Sequence, residues 1–592
     1  MNKRRGAWKW LVAAIVWVGT AHAGPWAIGQ ALTRIEPQAQ QDSSSQDATQ
    51  SPTKLIGCEN ASAQNTATQN TATQNTDAQS KSPANASSAN NGPTVSSETH
   101  ISPHQAKELF GAVDELLKFA SHETGLPIRH EVKRRLTNRT EIESYLKGKF
   151  KDDEDAKRMQ HGEIVLKKFG LLDRGFDLRP FLMALLTEQI AGYYDEKTRT
   201  VNLLDWLDAE AQKPVLAHEL THALQDQHTD LKKWNNQTSS EVSQNAKDDQ
   251  DHIARDEMDS AREAVLEGQA MAVFVDYSLK PLGKTIVSNP EVVEKVNEQM
   301  SASEDSPVMA RAPLLLSESM LFPYQEGLSF EQEIWIHQGQ TAAFAGALDR
   351  PPTSSWEIIN PIEYEKRHLP SVPLMPDVHP LTDKLYKPYD IGQVGQLDLQ
   401  ILTELFGGEE VSRELTEAWE GGIYWAGQRR NATVAEQSTP GSIALFYLSE
   451  WKSTASAVRF AHLYAEQLGR KYSGVKHDDR VSSDRVEVYS TNEGPVTITT
   501  RGKLIFITES FDLDLARKLS ELMLDAQGVG ELREASLQKS SHEFVRGGRQ
   551  AATGAQAQIG VQAETLTAPF RRFFSATGMM KFAAEVTIKP HR

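Results

Sequence analysis

"PVLAHELTHALQDQH" occupies residues 214–228, and its reading decides both the fold and the chemistry. His218 and His222 stand four apart, with Glu219 directly after the first. On an α-helix, positions i and i+4 share one face a turn apart, so both imidazoles can present a ring nitrogen to one ion. Glu219 falls one residue further round, beside that ion and not on it. There its carboxylate can take a proton from an activated water and return it to a leaving amine. Pro214 suits the start of such a helix, and Val215, Leu216 and Ala217 give it an apolar lead-in. The pattern is the HExxH arrangement of metallopeptidases, with His218 and His222 as ligands and Glu219 as general base.

The ligand set must be nitrogen and oxygen. Cys58 is the only cysteine, so neither an intrachain disulfide nor a thiolate zinc site can form. Zn2+ is the ion expected, and it needs a third protein ligand. His228 lies ten residues after His218, where a sharply turning helix would bring a third histidine back. That turn calls for glycine, and the position is Gln225, a good helix former. If the helix continues, His228 points roughly 240° round from His222, off the metal face. The alternative is a glutamate on the next helix, where Glu263 and Glu267 lie one turn apart on the same face. Either one binds the metal and the other carboxylate serves elsewhere. Gly268 and Ala270 are expected to let that helix pack closely on the motif helix.

Outward from the motif the period changes. "AGYYDEKTRTVNLLDW" (191–206) has Tyr193-Tyr194, a polar turn at Asp195-Glu196-Lys197, and alternation of Thr200 and Asn202 against Val201 and Leu203. That predicts a β-hairpin whose second strand leads by a short loop to Pro214. Upstream, "SPHQAKELFGAVDELLKFASHETG" (102–125) offers Ser102 as a helix cap and Pro103 in the first turn, and helical patterns continue to about Gln189. The charge run 147–158 reads as a solvated helix face. Downstream come a polar insertion (about 230–250), a helix (255–279), two short helices (322–348) and a Pro-rich wrap (349–367).

From about Leu385 the expected order is two helices (391–406 and 409–418), a strand (441–451), a helix (453–470), a strand (485–491), a hairpin around Arg501-Gly502 (495–510) and a helix (512–527). "WEGGIYWAGQRR" (419–430) is aromatic-rich and reads as buried packing in preference to a contact surface. The fold class is therefore α+β: a mainly helical domain with a small edge-strand sheet over 101–384, then a smaller β-α-β-β-α domain over 385–530.

The flanks differ in kind. "MNKRRGAWKWLVAAIVWVGTAHA" has a basic start, an apolar run too short to span a bilayer, and the small-x-small ending Ala21-His22-Ala23. It predicts a secretory signal peptide (1–23), cut after Ala23, and a secreted or periplasmic protein without stable membrane insertion. "LIGC" (55–58) lies too far past the apolar run to act as a lipidation box. Residues 24–100 are Gln/Ser/Asn/Thr-rich, with the repeat NTATQNTATQNT (65–76), and predict a disordered linker. Residues 531–592 predict a poorly ordered tail. The formal net charge of −17 argues against nucleic acid as a partner.

"LLTEQIAGYYDEKTRTVNL", "LAHELTHALQDQH", "AVLEGQA" (264–270), "FPYQEGLSF" and "DRPPTSSWEIINPIEY" occur in the order seen in bacterial proteins of the gluzincin (peptidase MA-like) superfamily. The resemblance covers roughly residues 180–370. It implies a zincin-like fold with an edge strand that binds substrate backbone, a protein or peptide substrate, and a downstream glutamate ligand. "AVLEGQA" resembles the segment in which the Glu before Gly is that ligand, which favours Glu267 over Glu263. The resemblance also implies an oxyanion-stabilising Tyr or His, for which Tyr324 is the candidate beside its other reading as a core aromatic. The long insertion before Arg255 departs from the pattern. The expected function is an exported zinc metallopeptidase. Its rivals are a non-catalytic zincin-derived binding or assembly protein of the envelope, and a zinc hydrolase of non-peptide amides.

Overall fold

Two sheets and a set of long helices organise the chain. The computed structural model describes residues 100–142, 144, 153–189, 192–235, 245–301 and 307–527. The leader (1–23), the linker (24–100, except its last residue) and the tail (531–592) lie outside the described residues. The longer helices are α1 (Pro103–Thr124), α2 (Asp153–Phe169), α3 (Leu178–Gln189), α4 (Gln212–Thr229), α5 (Met258–Leu279), α6 (Glu291–Ser301), α7 (Leu314–Gln338), α8 (Gln396–Gly407), α9 (Glu409–Glu417), α10 (Thr454–Glu466) and α11 (Leu513–Asp525).

The small sheet has β1 (Lys133–Thr137), β2 (Tyr193–Asp195) and β3 (Thr200–Leu204) in the order β1-β3-β2. β1 runs parallel to β3, and β2 pairs antiparallel with β3 as the hairpin expected over 191–206. The turn back costs little, because Asp195 accepts from Lys197 and Thr198. β2 is an outer strand. From β3 the chain passes into α4, and Gln212 fastens the junction: its amide accepts from Leu204 N–H and donates to the Leu204 and Leu207 carbonyls. Along α4, every residue from Val215 to Leu224 is buried, as is Gln225. A helix buried all round is a core element. It packs on α1 and α5, and α5 in turn packs on α7.

The two helices expected over 322–348 are the end of α7 and a second helical segment after Gly339 (Ala342–Asp349), but α7 starts earlier than expected, at Leu314. Pro323 lies inside α7, buried. Proline removes one backbone donor and usually ends a helix, but here packing on α5 holds the helix through it. Gly268 also behaves differently from expectation. It faces α7 and not the motif helix: a Cβ there would lie 2.1 Å from Gly327 O, and one on Gly327 would lie 2.3 Å from Ala264 O. Two glycines thus set the α5–α7 crossing.

The second sheet is larger than the β-α-β-β-α order predicts. It has seven antiparallel strands in the order β4-β5-β6-β10-β9-β8-β7. The expected strands are β6 (Ile443–Trp451), β8 (Val486–Thr491) and the hairpin β9 (Gly494–Arg501) and β10 (Leu504–Glu509). The additional ones are β4 (Tyr386–Gln393), β5 (Trp419–Arg429) and the two-residue β7 (Lys476–His477). The helix expected from 391 therefore starts later, at Gln396. β4 tolerates Pro388 because it is an edge strand, with a register shift between Pro388 and Asp390. In β5, Gly421 and Gly422 are there for space, not for a turn: a Cβ would meet Ser371 O at 2.0 Å or the Tyr447 ring at 3.0 Å.

Trp425, Phe446, Phe506 and Phe511 build the core between this sheet and α11. The helical part and the seven-stranded sheet fall within one compact unit. A buried lysine joins them, Lys168 on α2 donating to Glu493 and Ser510, and within the sheet's own region Lys471 pairs with Glu509 together with the hydroxyls of Tyr464 and Tyr472.

Candidate metal centre

The motif helix and α5 bring three side chains to one point. His218 Nε2 and His222 Nε2 are 3.1 Å apart. The Glu267 carboxylate lies 3.2 Å from His218 Nε2 and 3.5 Å from His222 Nε2. Among the described residues this is the one group of three or more His, Cys, Asp or Glu able to share an ion. All three are buried.

The geometry fits a metal. A tetrahedral ion at 2.0–2.2 Å from each ligand needs ligand atoms about 3.3 Å apart. The observed separations of 3.1, 3.2 and 3.5 Å bracket that value. Oε2 of Glu267 is buried beside His218, yet no donor is aligned on it. Two imidazoles with one carboxylate suit zinc and the other first-row divalent ions, and do not suit Ca2+ or Mg2+.

Electrostatics show how tightly the group is coupled. Burial pushes the Glu267 carboxyl up, but the His222 and His218 rings beside it outweigh burial and hold it at about 2. Burial likewise pulls His222 down, and the Glu267 carboxylate overrides it and holds that imidazole at about 9. Burial lowers His218.

Glu219 lies next to the cluster and outside it. Its Oε2 accepts a 2.9 Å hydrogen bond from Tyr194 N–H on β2. The Tyr194 hydroxyl donates to Asp226, two turns further along α4, at 2.9 Å. One strand residue therefore clasps the motif helix at two points and fixes the rotamer of Glu219. Burial raises the Glu219 carboxyl to about 8, against the pull of His222.

The other sequence candidates fall as follows. Glu263 is half-buried on α5, one turn before Glu267, and is not among the three converging groups. His228 pairs with Asp349 at 2.9 Å, away from the cluster. Tyr324 stands at the centre: its ring stacks at 22° to His218 with centroids 6.4 Å apart. Burial and the Glu267, Glu263 and Glu219 carboxylates hold its hydroxyl well above the usual range.

Sequence reasoning missed two groups. Gln225 was read only as a helix former, yet it is fully buried with Oε1 2.8 Å from His222 Nδ1. The Tyr194 backbone amide carries no residue-type signal at all. Its one pointer was the position of the hairpin just before the motif helix. Comparison of the chain with protein-family models, curated proteins and solved structures finds no match.

Proposed function

We propose that this chain is a zinc-dependent metallopeptidase of zincin-like architecture. The observation that carries the reading is the convergence of His218 Nε2, His222 Nε2 and the Glu267 carboxylate at separations that suit one tetrahedral ion. Zinc bound there supplies Lewis acidity toward a substrate carbonyl and lowers the pKa of water. The protein's own contribution is positional. Glu219, anchored by Tyr194 N–H, holds its carboxylate beside the cluster, where it takes a proton from the attacking water and delivers it to the leaving amine. β2 is an outer strand next to this base, which supports recognition of an extended peptide by its backbone. The N-terminal sequence pattern supports export to the periplasm or medium, and N-terminal sequencing of the exported protein, expected to begin at Gly24, tests that part.

Metal content by mass spectrometry tests the centre, with wild type beside Glu267→Gln and Glu263→Gln. One zinc per chain, lost mainly in Glu267→Gln, supports the assignment. Loss only in Glu263→Gln would exchange the two glutamates, and no zinc in wild type would sink the reading. A peptide-library digest tests the chemistry. Glu219→Gln should keep its zinc and lose hydrolysis by at least a hundredfold, the scale of a general base.

A further inference from the structure

The face of His222 turned away from the cluster ends a chain of side-chain amides whose direction is fixed from its far end. After α7 the backbone makes a π-helical turn at Ala342–Gly346. Such a turn takes carbonyls off the regular i→i+4 ladder. Ala343 O and Phe344 O each lie 3.0 Å from Gln269 Nε2. Two carbonyls can be approached only by the amide nitrogen, so Gln269 must turn its oxygen the other way. That oxygen lies 3.0 Å from Gln225 Nε2, which also donates to Leu266 O at 3.0 Å. Gln225 is thereby fixed as well, with Oε1 toward His222 Nδ1 at 2.8 Å. An amide oxygen has no proton to give, so the proton belongs to Nδ1. His222, Gln225 and Gln269 are all fully buried, and bulk water does not compete for these groups.

We infer that Gln225, oriented by Gln269 and the Ala342–Gly346 turn, is a positioning residue that pins a proton on His222 Nδ1 and leaves Nε2 as the nitrogen that meets the metal. Its role rests on the metal-centre reading; the amide directions do not. Deprived of the Gln225 oxygen, Nδ1–H loses the acceptor that holds its tautomer, the proton can move to Nε2 toward the Glu267 carboxylate, and Nε2 is no longer kept free for the metal. Partners of this kind typically alter metal affinity by 10–100-fold.

The test uses the full chain labelled with 15N-histidine, read by chelator-competition zinc affinity and by the His222 Nδ1–H resonance, assigned from its absence in His222→Gln. Gln225→Met should weaken zinc 10–100-fold and abolish the hydrogen-bonded Nδ1–H signal. Gln269→Met should act in the same direction but less, because Leu266 O still holds Gln225 Nε2. Gln332→Met is the control: this buried amide donates to Ile286 O and Pro290 O, away from the relay, so it should lower stability and leave zinc affinity and the Nδ1–H signal unchanged. Wild-type zinc affinity with an intact signal in Gln225→Met overturns the inference. So does an equal loss of zinc in Gln332→Met, which would trace the effect to general destabilisation. If Gln225→Met does not fold, Gln269→Met decides by the same readouts. A wild type that binds no zinc counts against the proposed function, and the Nδ1–H signal of the metal-free chain then decides the relay separately.

Discussion

Gly268→Ala probes the helix crossing that carries Glu267, the proposed third ligand. A Cβ at this position would sit 2.1 Å from Gly327 O and 2.3 Å from its carbonyl carbon. Both are backbone atoms, so no rotamer change relieves the clash. Restoring an ordinary contact of 3.4 Å opens the α5–α7 crossing by about 1.3 Å. Overpacking of this kind costs about 3 kcal/mol, and the helix-propensity gain of alanine over glycine returns about 1 kcal/mol. The net loss is about 2 kcal/mol, a fall in melting temperature of roughly 4 °C for a large domain. Glu267 is the adjacent residue, and the displacement exceeds the roughly 0.5 Å within which a ligand set keeps its geometry. Metal affinity should therefore fall as well. The assay is thermal unfolding of metal-free protein beside zinc affinity, with Gly111→Ala as the comparison. A Cβ at Gly111 meets nothing within 4 Å, so the same substitution there should stabilise by up to about 1 kcal/mol. If Gly268→Ala melts with Gly111→Ala and keeps wild-type affinity, the tight crossing is not what places Glu267.

Three further outcomes follow from buried charges. Burial raises the Asp276 carboxyl to about 7, with Ile286 N–H opposing. The unfolded chain ionises it from about pH 4 while the folded chain keeps the proton to about 7, so stability falls across that window as pH rises. Asp276→Asn should gain up to about 4 kcal/mol at pH 8 and nothing at pH 3, measured by urea unfolding at both. Lys471→Met leaves Glu509 buried without its closest cation and should cost about 3 kcal/mol, much of which Glu509→Leu in the same chain should restore; a double-mutant cycle checks it. At the candidate metal centre, Glu267 holds a proton on His222 up to about pH 9, which zinc bound there as proposed would displace. Zinc affinity should rise about tenfold per pH unit below 9, and a flat profile would show that no proton leaves.

The parts of this site that were legible in the sequence are those fixed by local geometry. His218, Glu219 and His222 follow from helix periodicity within one turn, and the hairpin before them follows from alternation. Glu267 was favoured by the motif around it and is brought in by the α5 helix. What escaped depends on packing between distant segments. A glutamine on a helix has many unremarkable uses, so Gln225 and Gln269 acquire meaning only when α4, α5 and the Ala342–Gly346 turn come together. β5 escaped because it is a central strand, buried from Gly421 to Gly427, so no polar alternation marks it. The close approach of Ser371 that requires Gly421 is a tertiary fact with no local signal.

Burial of ionisable groups alone would not single out the metal centre, because the Lys471–Glu509 network is buried as deeply. The two differ in how they are satisfied. Around Glu509, donors meet acceptors: Lys471, Tyr464 and Tyr472 all give protons to one carboxylate. Such a network is internally complete and ties elements together. At His218, His222 and Glu267 two imidazoles and one carboxylate turn toward a common point instead, with one shared proton that a cation can replace. Two Nε2 atoms lie 3.1 Å apart, where at most one N–H can fit between them, and Glu267 Oε2 has no donor aligned on it. Replacing these groups with apolar residues of similar size would be neutral or stabilising for the fold. An arrangement that brings three ligand-type groups to one point, and anchors a further carboxylate beside it through the Tyr194 amide, could hold a cation there and contributes little to stability.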